Sequence, residues 1–329
     1  MGFGNVARAF ARFLRESPVA GEIEIRAIAD STGGVCLASR ERLNRLIQMK
    51  ESGLSLRNCS PQDCIADPDA FLEALRNSGV QAVVESLPNR LEDGEPALSL
   101  LRRLLAAGIA VVTVNKGPLV HAWVELQEAA HAGGAKFVCS GATGIQPPAE
   151  LRDCRTVEIQ GSLNGTVNHI LSAMQMRSLT FDEGLAEARS LGIAEPDPRM
   201  DIEGWDAACK IVILSNRWMS ARARLDDVAR IGIGPETESL AQTARASQRR
   251  LRLLSRARMW QGRVRLSVAP KLVAQDSPFY ALDGARKGAI FRTRERGDLF
   301  VEGHSGRQAI SEIILADVME IRGRADPTN

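Results

Sequence analysis

Five carboxylates and a lysine crowd one short stretch of the chain: Glu195, Asp197, Asp201, Glu203, Asp206 and Lys210. Asp206 and Lys210 are four residues apart, so on a helix they share one face. On a surface such a pair contributes only roughly a few tenths of a kcal/mol. Here Ile211-Val212-Ile213-Leu214 follows, and the helix is expected to be buried. A buried Asp and Lys need partners or a task. Asn164-Gly165-Thr166 offers backbone N–H groups and a hydroxyl suited to a carboxylate, although a plain turn explains the same three residues. Lys116 follows an apolar run, 109–114, that predicts a buried strand; ligands of parallel sheets bind beyond such strand ends. A capping or surface role is the simpler alternative. Only six of the 42 basic residues are lysine, at 50, 116, 136, 210, 271 and 287. Arginine keeps its proton in proteins and lysine can lose it, so each lysine is a candidate for work arginine cannot do.

The opening Gly2-Phe3-Gly4-Asn5-Val6-Ala7 is a G-x-G-x-x-A loop leading into a helical pattern over 6–14. An alternating strand pattern over 22–29 then ends at Asp30. This is the second half of a dinucleotide-binding βαβ unit. The glycines allow a tight turn against a pyrophosphate, the helix N-terminus favours its charge, and Asp30 would bond ribose hydroxyls. The strand that should precede Gly2 is missing, because a single residue stands before the loop. Its neighbours are expected to carry unpaired backbone groups, which suggests a start site upstream or a shortened chain.

The rest of the first half alternates: helices over 37–49, 68–77, 96–107 and 119–132, strands over 79–86 (ending at Ser86), 109–114 and 136–139. Beyond about 140 the order changes. A strand is expected at 157–160 and helices at 167–176, 181–190 and 201–216, the second opened by a capping box of Thr180 and Glu183. A strand at 263–268 and a last helix at 307–322 follow. These patterns predict an α/β Rossmann-like dinucleotide-binding domain plus an α+β substrate and dimerisation domain. The expected boundaries are 1–140, 141–290, and a C-terminal segment, 291–329, returning to the first domain.

The 329 residues carry 42 basic and 40 acidic groups, a net charge of +2. That balance argues against nucleic acid, and the Arg-rich stretch 245–258 has too few aromatics for a stacking surface, so it is expected to be a solvated face. No apolar run reaches the about 18 residues of a membrane span, and nothing at the start resembles a signal peptide. A cytoplasmic protein with six reduced cysteines is expected.

Four stretches carry a resemblance: 2–7 (GFGNVA), 111–119 (VVTVNKGPL), 161–171 (GSLNGTVNHIL) and 185–214 with its AEPDPRMDIEGWDAACK core. Over most of its length the chain resembles homoserine dehydrogenases, most strongly in 108–120 and 161–214. The resemblance implies NAD(P)-dependent interconversion of L-homoserine and L-aspartate 4-semialdehyde, a step toward threonine, methionine and isoleucine. It implies a homodimer. It places Lys116 and Lys210 at the reacting oxygen, with Asp206 orienting Lys210, and Glu195 and Asp201 at the substrate ammonium. Gly165 and Thr166 would lie beside the substrate. Gly2, Phe3, Gly4, Asn5, Val6, Asp30, Ser86 and Lys116 would line the coenzyme. The chemistry agrees: hydride reaching an aldehyde carbon leaves an oxygen that needs a proton donor, and a lysine near other positive charge can supply one near neutral pH.

The chain also departs from the family. The loop that usually reads E-A-T-V-G-G-G-x-P and holds a sodium ion through backbone carbonyls is here Ser140-Gly141-Ala142-Thr143-Gly144-Ile145-Gln146-Pro147. Gly141 stands at the glutamate position and the glycine run is short, which speaks against sodium. The late glycine-rich segment is Gly303-His304-Ser305-Gly306, where His304 is expected to be a loop residue. Asp30 would favour NAD by repelling a 2′-phosphate, while Arg40 lies near enough in sequence to oppose it. Two alternatives stay open: a dehydrogenase of another small amino-acid aldehyde or alcohol, and a non-catalytic homologue.

Overall fold

The computed structural model describes residues 1–303 and 305–323. The described residues divide into two units, Met1–Ala142 together with 306–323, and the stretch between 143 and 305. His304 lies outside the described residues.

In the first unit, Ala27–Asp30 (β1) turns back on Gly33–Cys36 (β2) as an antiparallel hairpin. The sequence predicted a longer first strand and no second. The return strand depends on Gly34, since a Cβ there would run into the Phe71 ring. Ala82–Glu85 (β3), Ala110–Thr113 (β4) and Phe137–Val138 (β5) form a parallel sheet in that order. Helices Ala97–Ala106 and Gly117–Gly133 cross between them, and helix Pro68–Asn77 precedes β3. Pro68–Asn77 starts on Asp67, whose carboxylate caps the Ala70 N–H. Ala97–Ala106 stops before Gly108, at φ +77°.

Residues 1–3 run between β1 and β3. The Met1 amino group donates to the Val84 carbonyl, the Ser86 N–H to the Met1 carbonyl, and the Phe3 N–H to the Ala29 carbonyl, at 2.9, 3.0 and 2.7 Å. The loop thereby enters helix Asn5–Glu16 with one side on β1 and the other on β3. Helix Arg307–Arg322 packs Ile314, Leu315 and Val318 against Phe10, Leu14 and Val112 of this unit.

The second unit is a six-stranded sheet: Thr156–Ser162 (β6), Val228–Arg230 (β7), Arg250–Trp260 (β8), Arg263–Val273 (β9), Lys287–Thr293 (β10) and Gly297–Gly303 (β11). The order is β11-β10-β6-β8-β9-β7, antiparallel except for β7 on β9. Helices Gly165–Arg177, Trp205–Met219 and Glu238–Ala246 cover one face with Ile170, Ile211 and Ala241 against Ile159, Leu253 and Phe291. Apolar burial on this face supplies most of the unit's stability.

The stretch expected to be a solvated arginine face is strand β8 in the middle of this sheet. Leu251, Leu253 and Ala257 alternate with arginines, so a period of two buries one side. Arg252 is itself fully buried. Its guanidinium donates to the Phe279 and Tyr280 carbonyls and to Ser172, and pairs with Asp283 at 3.4 Å. Burial lowers its pKa to about 10. Arg252 thus fixes the 279–286 segment, on which helix Gly165–Arg177 leans.

Candidate active site

Glycine breaks the helix expected over 201–216 into two. Gly204 takes φ +80° between Arg199–Ile202 and Trp205–Met219. The turn brings Asp201 back beside Asp206, although the two sit on separate helices. Asn164 joins them. Its amide nitrogen donates to Asp201 Oδ1 at 2.6 Å and Asp206 Oδ2 at 2.9 Å. Its Oδ1 accepts from the Val167 N–H at 2.9 Å, capping helix Gly165–Arg177. One side chain therefore starts a helix and holds two carboxylates.

Lys210 completes the cluster. Its Nζ donates to Asp206 Oδ2 at 2.5 Å and to the Leu163 carbonyl at 2.8 Å. These acceptors use two of the ammonium's three hydrogens. Lys210 and Asp206 are each 9% exposed, on a helix otherwise filled with Ala, Ile, Val and Leu. Burial pushes the Asp201 carboxyl above its usual range, and the Asp206 charge pushes the same way, against the Asn164 hydrogen bond. Gly165 is required by packing: a Cβ there would lie 2.6 Å from the Ala285 carbonyl oxygen. The Thr166 hydroxyl donates to the Ile193 carbonyl at 3.1 Å, which ties the cluster to the turn bearing Glu195. Glu195 itself is exposed. Asp201, Asp206, Lys210, Asn164 and Thr166 thus form one polar cluster at the positive end of a 13-residue helix. Asn164, as the link between carboxylates, was missed in the sequence; an Asn at a helix N-cap was its only signal.

In the first unit, Gly2, Asp30, Ser86 and Lys116 lie at strand ends. Gly2 takes φ +76°, and a Cβ would meet the Ser86 carbonyl carbon at 2.6 Å. The Ser86 hydroxyl donates to the Gly2 carbonyl at 3.0 Å. Phe3 is turned into the core with Ile28 and Val35, while Gly4 and Asn5 are exposed and Val6 is half-buried. Gly4 caps its helix with no side chain, so the first N–H groups face outward from a loop without bulk. Lys116 is the N-cap of helix Gly117–Gly133, and Asn89 accepts its N–H at 3.0 Å. Beneath this rim the buried Glu85 accepts from Thr113, Asn115 and the Leu87 N–H, and burial pushes its carboxyl upward.

Asp30 is more occupied than the sequence suggested. Oδ1 accepts from the Thr32 N–H and hydroxyl at 2.8 and 2.6 Å, Oδ2 from Lys50 and the Leu56 N–H at 2.6 and 2.9 Å. Burial works against its charge, but these donors outweigh it and hold the carboxyl below its usual range. Four donors fill a carboxylate's lone-pair sites. Lys50, distant in sequence, was not foreseen here.

Among the described residues, no helix is long and apolar enough to cross a membrane. A family model described as homoserine dehydrogenase matches residues 149–319, and one described as homoserine dehydrogenase, NAD binding domain, matches residues 2–140. The chain is 30% identical to an NAD(+)-dependent homoserine dehydrogenase of Pseudomonas canavaninivorans, across 99% of this chain and 96% of that one. It is 31% identical to a homoserine dehydrogenase of Methanocaldococcus jannaschii, across 98% and 97%. A crystal structure of a putative homoserine dehydrogenase from Archaeoglobus fulgidus superposes with a TM-score of 0.83 at 29% identity, covering 97% of each chain. A hyperthermophilic archaeal homoserine dehydrogenase in complex with NADPH superposes with a TM-score of 0.76 at 25% identity, covering 98% of this chain and 95% of that one.

The raised Asp201 carboxyl gives a pH prediction with a definite sign. Because the folded chain holds this proton more tightly than the unfolded chain, the contribution to stability is largest in acid and is lost as pH rises through the raised value. Above the ordinary carboxylate range the raised Asp201 carboxyl is a cost that Asp201→Asn removes. The variant is expected to have a higher Tm at neutral pH and a flatter Tm against pH above the ordinary carboxylate range. An unchanged Tm-pH profile would contradict the assignment.

Proposed function

We infer that this chain, which belongs to the homoserine dehydrogenase family, is an NAD(P)-dependent oxidoreductase interconverting L-homoserine and L-aspartate 4-semialdehyde. The observation that carries the residue assignment is the buried Lys210–Asp206 pair with Asp201 and Asn164 around it. The coenzyme, held by the loop over residues 2–6, would supply the hydride acceptor for the carbinol carbon. The protein must take up or give back the hydroxyl proton and hold an amino acid bearing both charges.

Lys210 is the proton-transfer residue in this reading. Asp206 and the Leu163 carbonyl fix its Nζ, and a remaining hydrogen is directed to the reacting oxygen. Asp201 and Glu195 hold the substrate ammonium. The positive end of helix Gly165–Arg177, at Gly165 and Thr166, suits the substrate carboxylate. Lys116 is assigned to the reacting oxygen on the family resemblance alone. Gly2, Gly4, Asn5, Val6 and Ser86 form the coenzyme loop, with Phe3 supporting it from the core. Lys50 neutralises Asp30, so this corner does not repel a 2′-phosphate as a bare carboxylate would, and both coenzymes are accepted. The domains follow the coenzyme and substrate roles of the two units.

A homodimer is part of the same reading. The sheet face that the second unit's own helices leave uncovered carries exposed Trp260 and Phe300. Asp298, Arg292, Glu158, Arg258 and Arg265 form a cross-strand row there. Such a face is self-complementary by pairing charges of opposite sign about a two-fold axis. Expression in the cytoplasm is consistent with the reduced thiols expected of the sequence.

Two outcomes test these assignments. Lys210→Met is expected to lower kcat by at least about a hundredfold, the usual worth of a positioned proton donor, while coenzyme still binds. Full activity in that variant would remove Lys210 from the chemistry. Sedimentation equilibrium is expected to give twice the mass of the chain, and the mass of one chain for Trp260→Asp combined with Phe300→Asp. A monomeric parent would exclude the dimer.

A further inference from the structure

The 143–147 loop opens the second unit, and its Ile145 carbonyl accepts from Thr143 Oγ at 3.4 Å. Gly144 takes φ +65°, and Thr143 Oγ accepts from the Ile145 N–H at 3.3 Å. A Cβ on Gly303 would lie 2.7 Å from the Gly144 carbonyl oxygen, so the end of β11 runs against this turn. Lys287 is the residue paired with Gly303 across β10 and β11. It is 4% exposed, and its ammonium donates to the Thr143 carbonyl at 3.5 Å. In the same loop Gln146 Oε1 is buried and accepts no hydrogen bond.

The family resemblance implies a sodium ion held by backbone carbonyls of this loop. The residues present do not fit one. A fixed ammonium already occupies a loop carbonyl, and Gly141 stands where a glutamate would add negative charge. We propose that Lys287 is the built-in cation of the 143–147 loop and takes the place of a monovalent metal ion. Two unit charges about 4 Å apart in a partly buried site repel by about three powers of ten in binding constant. A sodium ion and the Lys287 ammonium therefore exclude each other at the Thr143 carbonyl. Arginine, with its broad planar head, would not fill such a point site as an ammonium does. The inference concerns the loop and stands independently of the substrate assignment.

The test compares the full chain in sodium, potassium and tetramethylammonium chloride at equal ionic strength, reading thermal unfolding first and turnover second. The parent is expected to give the same Tm and rate in all three salts. Lys287→Met is expected to have a lower Tm in tetramethylammonium chloride and to recover part of it in sodium or potassium. An ion bound only by the folded chain raises its stability by mass action, and the Thr143 carbonyl can accept it once the ammonium is removed. A parent that loses stability or activity without sodium or potassium would overturn the proposal. So would a Met variant equal to the parent in every salt, or one equally weakened in all three, which would leave Lys287 a packing role. If Lys287→Met does not fold, the parent's salt comparison decides alone by the same criteria.

Discussion

A buried ammonium and carboxylate on an apolar helix set the terms for the second unit. Taking both charges out of water costs several kcal/mol per ion, about what their attraction returns, unless further hydrogen bonds satisfy what remains. The fold meets that demand from three directions. The Leu163 carbonyl accepts from Lys210, the Asn164 amide donates to Asp206, and the break at Gly204 returns Asp201 to the same amide. Asn164 is in turn held by capping its helix, and that helix leans on the 279–286 segment clamped by the buried Arg252. The polar cluster is thus preorganised by packing remote from it, as electrostatic catalysis requires.

The first unit answers a different requirement. In the proposed reading a pyrophosphate would meet the unpaired N–H groups at the entry to a 12-residue helix, with no side chain at Gly2 or Gly4 in the way. Residues 1–3 fasten that entry to β1 on one side and to the end of β3 on the other, by main-chain hydrogen bonds and the Ser86 hydroxyl. The adjacent Asp30 is committed to Thr32, Leu56 and Lys50. Its carboxylate is therefore paired with the Lys50 ammonium at this corner.

Features set by local chemistry were legible in the sequence. Helix Pro68–Asn77 carries its own start in Asp67 and Pro68, helix Phe181–Ser190 its capping box, and helix Arg307–Arg322 its apolar stripe and terminal Gly323. The Asp206–Lys210 pair was legible for the same reason, being one helical turn apart. Features set by distant partners were not. Strand β8 looked like a charged surface because its arginines find Glu158 and Asp283 only after folding. The β1–β2 hairpin needs Phe71 against Gly34, and the Asp30 site needs Lys50, 20 residues away. The helix break at Gly204 was hidden inside a run whose periodicity continues across it.

The most direct test of the account is homoserine-dependent reduction of NAD and NADP by the purified chain, followed by the absorbance of the reduced nicotinamide. Saturable turnover is expected with both coenzymes, dependent on a substrate carrying its ammonium, and none with N-acetylhomoserine, which keeps the carboxylate but lacks the ammonium. A folded chain that binds either coenzyme yet reduces neither with homoserine would contradict it.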